Sequence, residues 1–138
     1  MKPDALRNGM RLVALFTALA ALRLGSAADP GDRDVTSRQA RQKNPFAPDE
    51  KNVAAGKAVY QKHCADCHGA TGKGDGRAAV ELDPQPSDLT NPNLAQKSDG
   101  TLFWRVSRGR KPMPAFERLV SDDDRWLVVL YVRTLSKR

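Results

Sequence analysis

The 138-residue sequence predicts an all-α fold, and three observations support this prediction. Three segments repeat apolar residues at three- and four-residue spacing, the period of a helix with one buried face. No segment shows the two-residue alternation of a strand, and strands and helices do not alternate along the chain. About thirty residues between the first two helices are rich in glycine and proline. A loop of that length is expected in a small domain where it is functional or wraps a bound group.

The chain divides by composition into three parts. Residues 1–28 are predicted to be a signal peptide, because a basic start precedes the apolar run from Leu12 to Leu22 and the small-residue site at 25–27. The run is too short for a spanning helix, which needs about twenty residues, although an uncleaved signal would act as an anchor. Residues 29–48 are polar and are predicted to be a disordered linker, which leaves a folded domain over residues 49–138.

The charge of the chain does not indicate a nucleic-acid-binding protein. Residues 28–138 carry 19 basic and 15 acidic residues, so their net charge is +4, against +7 for the whole chain. A balance this mild is more typical of a solvated surface than of a DNA-binding surface. One basic cluster is nevertheless dense, and it comprises Arg105, Arg108, Arg110, Lys111 and Arg118.

Each predicted helix has its own boundary signals. The first covers roughly Asp49 to His63 and places its larger apolar residues on one face. The second lies between Ser98 as N-cap and Gly109 after the C-cap, and the proline at position 112 prevents its continuation. The third begins after Ser121, with three aspartates in its first turn, and is apolar almost all round, which predicts a well-buried helix.

Both cysteines and both histidines of the chain lie in the heptapeptide HCADCHG, at positions 63–69. A thiol redox pair is expected at a helix start after a strand, whereas a helical pattern precedes Cys64. A zinc site normally takes its ligands from two separate segments, and no other Cys or His exists. A disulfide across so short a loop would be strained and would stabilise little. The sequence therefore favours the remaining interpretation, because Cys-x-x-Cys-His is the attachment motif of c-type haem.

The haem interpretation gives each motif residue a role. Cys64 and Cys67 lie one helical turn apart, so both can form thioethers with one porphyrin, and His68 follows as the proximal iron ligand. The distal ligand is predicted to be Met113, the only methionine after the predicted signal peptide. It lies 45 residues after His68 between two prolines, in a turn where a core-filling role is not expected. His63 is interpreted as a surface or packing histidine.

These motifs resemble those of the class I c-type cytochromes, and the small bacterial monohaem members in particular. The resemblance covers about residues 48–135 and rests on VAAGKAVYQKHCADCHG, KPMPAF and WLVVLYVRTL, in that order. It implies a cytochrome c fold, with three main helices and a long loop around one covalently bound haem and its iron. It implies that a proline carbonyl, of Pro84 or Pro86, accepts the N–H of His68. It also implies a close crossing of the first and last helices at Gly56, Tyr60, Val128 and Tyr131.

The function implied is single-electron transfer in the bacterial periplasm by a monomeric carrier, which is not an enzyme. Its partners are expected to be redox proteins, and the basic cluster is expected either to steer an acidic partner or to solvate a helix and pair with the haem propionates. Two alternatives stay open: a haem subunit of a dehydrogenase or oxidase complex, and a ligand-binding haem protein. The predicted apolar lining of the haem pocket is Leu82, Leu89, Leu94, Leu102, Phe103, Val106, Phe116 and Trp126.

Overall fold

The structure, a computed structural model, describes residues 32–136. Within this range the chain is helical and contains no strand, which confirms the predicted all-α fold. The two 3₁₀ turns, Ala79–Glu81 and Pro92–Gln96, both lie in the long loop. The α-helices are α1 (Ser37–Ala40), α2 (Glu50–His63), α3 (Ala65–His68), α4 (Asp99–Arg108) and α5 (Asp122–Leu135).

Each of the three long helices begins after a capping side chain, and the sequence predicts two of these caps, Ser98 and Ser121. Asp49 accepts a hydrogen bond from the backbone N–H of Asn52 at the start of α2, at 2.8 Å. Ser98 and Ser121 accept from the N–H three residues ahead in the same way at α4 and α5. Each cap satisfies one of the donors that a helix start leaves without an internal partner.

Helices α2 and α5 cross at a glycine and form the main hydrophobic core. A Cβ atom at Gly56 would lie 2.0 Å from the backbone oxygen of Leu127, so any side chain here would collide with the backbone of α5. The rings of Tyr60 and Tyr131 pack beside this contact, with centroids 5.0 Å apart. Because the backbones approach so closely, the core residues of the two helices interdigitate directly. They are Tyr60, Val128, Tyr131, Val132 and Leu135.

The crossing predicts a large effect from a small substitution. We expect Gly56→Val to lower the free energy of unfolding by about 2 kcal/mol or more, because the new side chain must push α5 away. The matched control is Ala55→Val, which makes a similar change at an exposed position of the same helix. Chemical denaturation of both variants measures the difference, and equal losses of stability would show that the crossing does not depend on Gly56.

The first described segment, residues 32–48, is structured, whereas its polar composition predicts a disordered linker. Thr36 caps the short helix α1 and exchanges hydrogen bonds with Gln39. Further along, the side-chain amide of Asn44 donates to the backbone oxygen of Trp126 in α5, at 2.9 Å. The prediction of disorder is wrong for residues 32–48. The segment is held by polar contacts with other elements, such as that of Asn44 with α5, and composition does not reveal such contacts.

The predicted signal peptide, residues 1–28, lies outside the described residues. Within residues 32–136, no helix has the length and hydropathy that crossing a bilayer requires.

Candidate functional site

One cavity brings together the residues that the sequence selects for haem binding. Its volume is about 540 Å³, which lies within the range of cofactor sites in proteins. Side chains from α2, α3, α4, the long loop and the turn before α5 all contribute to its wall. The predicted site residues in this wall are Cys64, Cys67, His68, Pro84, Pro86 and Met113.

The motif forms a single helical turn at the end of α2. The backbone oxygen of Cys64 accepts hydrogen bonds from the N–H groups of Cys67, at 3.2 Å, and His68, at 2.9 Å. This turn puts both cysteines and His68 into the cavity wall, each of them half-buried. The hydroxyl of Tyr60 donates to the backbone oxygen of Gly69 at 2.7 Å, which fixes the end of the motif to the α2–α5 core.

The imidazole of His68 is oriented by a backbone carbonyl from the long loop. Its Nδ1 lies 3.0 Å from the backbone oxygen of Ser87, so Nδ1–H donates and Nε2 is left as the nitrogen for a metal. The prediction that Pro84 or Pro86 supplies this carbonyl is therefore wrong. The backbone oxygen of Pro86 instead packs against Gly74, 2.4 Å from the position that a Cβ atom of residue 74 would occupy. The next backbone carbonyl, that of Ser87, faces His68.

The ionisation of the motif side chains does not favour thiol redox chemistry. Burial, with a smaller effect from Cys67, raises the pKa of the Cys64 thiol to about 11. A reactive redox thiol needs a lowered pKa instead. Burial also lowers the pKa of His68, against the opposing effect of its hydrogen bond to Ser87. A neutral imidazole is the form that ligates a metal.

Met113 is presented by a tight turn that hydrogen bonds hold at both ends. The backbones of Arg110 and Met113 exchange two hydrogen bonds, of 3.0 and 2.8 Å. After the turn, the N–H groups of Phe116 and Glu117 donate to the last carbonyls of α4, which would otherwise lack partners. Because the turn is fixed on both sides, the thioether has a defined position in the wall of the cavity.

His63, the first residue of the motif, has a packing role. His63 lies in the cavity wall, and its ring meets that of Phe116 edge-on, with centroids 6.4 Å apart. The described residues contain no group of three or more His, Cys, Asp or Glu side chains arranged to hold a metal ion.

The sequence predicts the apolar part of the cavity only in part. Leu82 and Phe116 lie in the wall as expected. Leu89 and Leu94 instead pack against the α2–α5 core. Phe103 stacks on Trp126, with ring centroids 3.9 Å apart, and neither ring lies in the wall. Residues in the wall that the sequence does not identify include Arg33, Asp34, Ser87 and Trp104.

Comparisons with known proteins identify the family of this chain. The family model described as cytochrome c oxidase, cbb3-type, subunit III matches residues 51–132. The chain belongs to this family. It is a small c-type cytochrome of class I, and its cofactor is covalently bound haem c with its iron.

Two similar proteins are an oxidase subunit and a chain of a protein complex. Subunit CcoP of the cbb3-type cytochrome c oxidase of an Azospirillum species is 36% identical over 95 residues, a match that covers 67% of this cytochrome and 32% of that subunit. A chain of the reducing HAO-like protein complex of Kuenenia stuttgartiensis is 33% identical, with a TM-score of 0.57, over 66% of this chain and 46% of that one. This cytochrome thus spans about a third of the first relative and about half of the second.

A third similarity supports the fold alone. Cytochrome cL of Methylophaga aminisulfidivorans has a TM-score of 0.53 and 22% identity, over 67% of this chain and 60% of that one. Together with the helical structure, it confirms the cytochrome c fold.

The cavity of this cytochrome fits haem by its size, by its donors and by its charge. Thiol, imidazole and thioether groups, all suited to haem attachment or iron ligation, lie in one wall. Haem also carries two propionate carboxylates, which need positive partners when they are enclosed. The charged residues in the wall are mainly basic, with Arg33, Arg105, Arg110 and Lys111 against the single carboxylate of Asp34.

Proposed function

We propose that this cytochrome is a periplasmic, single-haem electron carrier in which Cys64 and Cys67 hold the haem and His68 and Met113 ligate its iron. The observation that carries the proposal is that all four side chains line one cavity. When bound, haem supplies one-electron chemistry, because its iron alternates between the ferrous and ferric states. The protein supplies attachment, two fixed ligands and a partly apolar enclosure.

Each ligand is held in a way that suits electron transfer. Ser87 fixes the ring of His68, and the hydrogen-bonded turn fixes the thioether of Met113. Rigid ligands need little rearrangement when an electron arrives. A thioether donor favours the ferrous state, so Met113 raises the reduction potential. If His68 and Met113 both ligate the iron, no coordination position would be left for a substrate, and the protein would act as a carrier rather than as an enzyme.

The experiment that tests this function is an optical redox titration of the mature holoprotein. We expect a single one-electron transition, and a sulfur-to-ferric-iron charge-transfer band in the oxidised spectrum. We also expect the native ferrous protein not to bind carbon monoxide at equilibrium. Fast and tight binding of carbon monoxide, without the sulfur band, would instead favour a ligand-binding haem protein.

A second candidate function, as the haem subunit of an oxidase or dehydrogenase complex, is favoured by the relatives. The Azospirillum relative is an oxidase subunit, and the Kuenenia relative belongs to a protein complex. Purification of the protein from its native membrane and periplasmic fractions discriminates the two functions. A free carrier elutes as a monomer, whereas a subunit elutes with stoichiometric partners.

The partners proposed here are redox proteins with an acidic docking surface. Two members of the basic cluster form ion pairs within the chain, since Arg105 pairs with Asp32 and Arg108 pairs with Glu117. Arg110 and Lys111 are exposed and lie in the cavity wall beside the Met113 turn. These two residues are therefore best placed to steer an acidic partner towards the haem.

This docking surface gives a kinetic prediction. In the double variant Arg110→Gln, Lys111→Gln, we expect oxidation by ferricyanide, an anion, to slow several-fold at low ionic strength. Oxidation by a cationic cobalt complex should not slow. Stopped-flow kinetics measure both rates, and the matched control is Lys51→Gln, Lys57→Gln, which removes the same charge from exposed positions on α2. Equal slowing in the control would rule out a local steering surface.

A further inference from the structure

Residues 32–44, here called the N-terminal strap, lie across α4 and connect it to α5. A Cβ atom at Gly100 in α4 would lie 2.1 Å from the backbone oxygen of Gln39, so the two backbones are in direct contact. At its far end the strap is held by the bond from Asn44 to Trp126 in α5. Gly100 lies in the first turn of α4, and its missing side chain allows the backbone of the strap to come this close.

The start of the strap is fixed by a pair of ionic contacts. The carboxylate of Asp32 contacts the ammonium group of Lys97, and its Oδ1 lies 2.6 Å from Nη2 of Arg105 in α4. The side chains of Asp32 and Arg105 are only 17% and 27% exposed. An ion pair shielded to this extent is less screened than a surface pair, so its charges act more strongly on their surroundings.

The strap also completes one part of the cavity wall. Arg33 and Asp34, the two residues after Asp32, lie in the wall together with Trp104 and Arg105 of α4. Asp32 itself does not lie in the wall. Arg105, the positive residue of the ion pair, therefore lies in the cavity wall, whereas Asp32, the negative residue, lies outside it.

We propose that Asp32 is a positioning residue that holds Arg105 in the cavity wall as a fixed positive charge, and that this charge raises the reduction potential of the haem. The proposal rests on the proposed function as a haem electron carrier. Reduction lowers the charge inside the cavity by one unit, so a nearby cation favours the reduced state.

The sign of one potential shift tests this inference. In Asp32→Asn a negative charge is removed, and as a simple charge effect this substitution would raise the potential. If Asp32 acts by positioning, the potential falls instead, because Arg105 loses the ion pair that helps to hold it in the wall and its charge is no longer fixed there. Arg105→Gln should also lower the potential, whereas Arg105→Lys should restore part of it. In the Arg105→Gln background, Asp32→Asn should no longer lower the potential.

The measurement is the midpoint potential of full-length holoprotein variants from optical redox titration. Arg108→Gln is the control, since Arg108 lies on the same helix, pairs with Glu117 and is absent from the wall of this cavity. Its potential should stay close to that of the wild type. If Arg105→Gln does not mature, the sign of the Asp32→Asn shift still decides the question.

A potential that rises or stays unchanged in Asp32→Asn would overturn the inference, as would a shift in Arg108→Gln equal to that in Arg105→Gln. Neither result affects the proposed function if the wild type retains covalent haem and its sulfur-to-iron band. Absence of covalent haem from the wild type would instead contradict the proposed function itself.

Discussion

Met113→Ala should keep its covalent haem, titrate at a clearly lower reduction potential and bind carbon monoxide far more readily than the wild type. The thioether stabilises the ferrous state, so its loss favours the ferric state. Loss of the side chain also opens one coordination position. The turn itself should persist, because the backbone hydrogen bonds between Arg110 and Met113 do not involve the side chain.

Two further substitutions separate ligation from packing. Met113→Leu keeps an apolar side chain of similar size but has no sulfur, so it should behave like Met113→Ala in potential and ligand binding. Met113→His should restore a six-coordinate iron, and its potential should also be lower than that of the wild type. The assignment of Met113 as distal ligand fails if Met113→Ala leaves both the potential and carbon monoxide binding unchanged, and the open-iron alternative then becomes the leading one.

We expect the folding of the chain to depend on bound haem. The double variant Cys64→Ser, Cys67→Ser should not attach haem, and we expect the resulting chain to lose most of its helix content. The cavity of about 540 Å³ would lose the group that fills it, and the ordering of the long loop would no longer be compensated. Far-UV circular dichroism and thermal unfolding measure this loss.

The matched control lies between the two cysteines. Asp66→Asn changes an exposed spacer residue of the motif, so the variant should attach haem and unfold cooperatively. Its ion pair with Arg77 is largely exposed and contributes little to stability. A double cysteine variant that stays helical and unfolds cooperatively would show that the α2–α5 core folds without haem.

The features that the sequence predicts well are local ones. The caps Ser98 and Ser121 appear where the sequence predicts them, because capping depends on three or four neighbouring residues. The attachment motif is equally local, and one helical turn contains all of it. The crossing at Gly56 is not local, and it is predicted through the resemblance to class I c-type cytochromes, which implies a close approach of the first and last helices there.

The features that the sequence misses depend on the three-dimensional path of the chain. Whether Pro86 or Ser87 faces His68 depends on the rotation of an irregular loop, which has no periodic pattern to fix it. The strap is missed because its order comes from polar contacts with distant residues, such as Asp32 with Arg105. Gly100 is the one signal that could have indicated it, since a glycine in the first turn of α4 leaves room for another backbone to approach.

Covalent attachment of haem to Cys64 and Cys67 can be measured by mass spectrometry of the mature protein, produced with a c-type haem maturation system. After denaturation and acid–acetone extraction, we expect a polypeptide that retains the mass of one haem, located on the peptide that contains Cys64 and Cys67. A polypeptide without added mass, with the haem recovered in the acetone phase, would show that these cysteines do not hold haem.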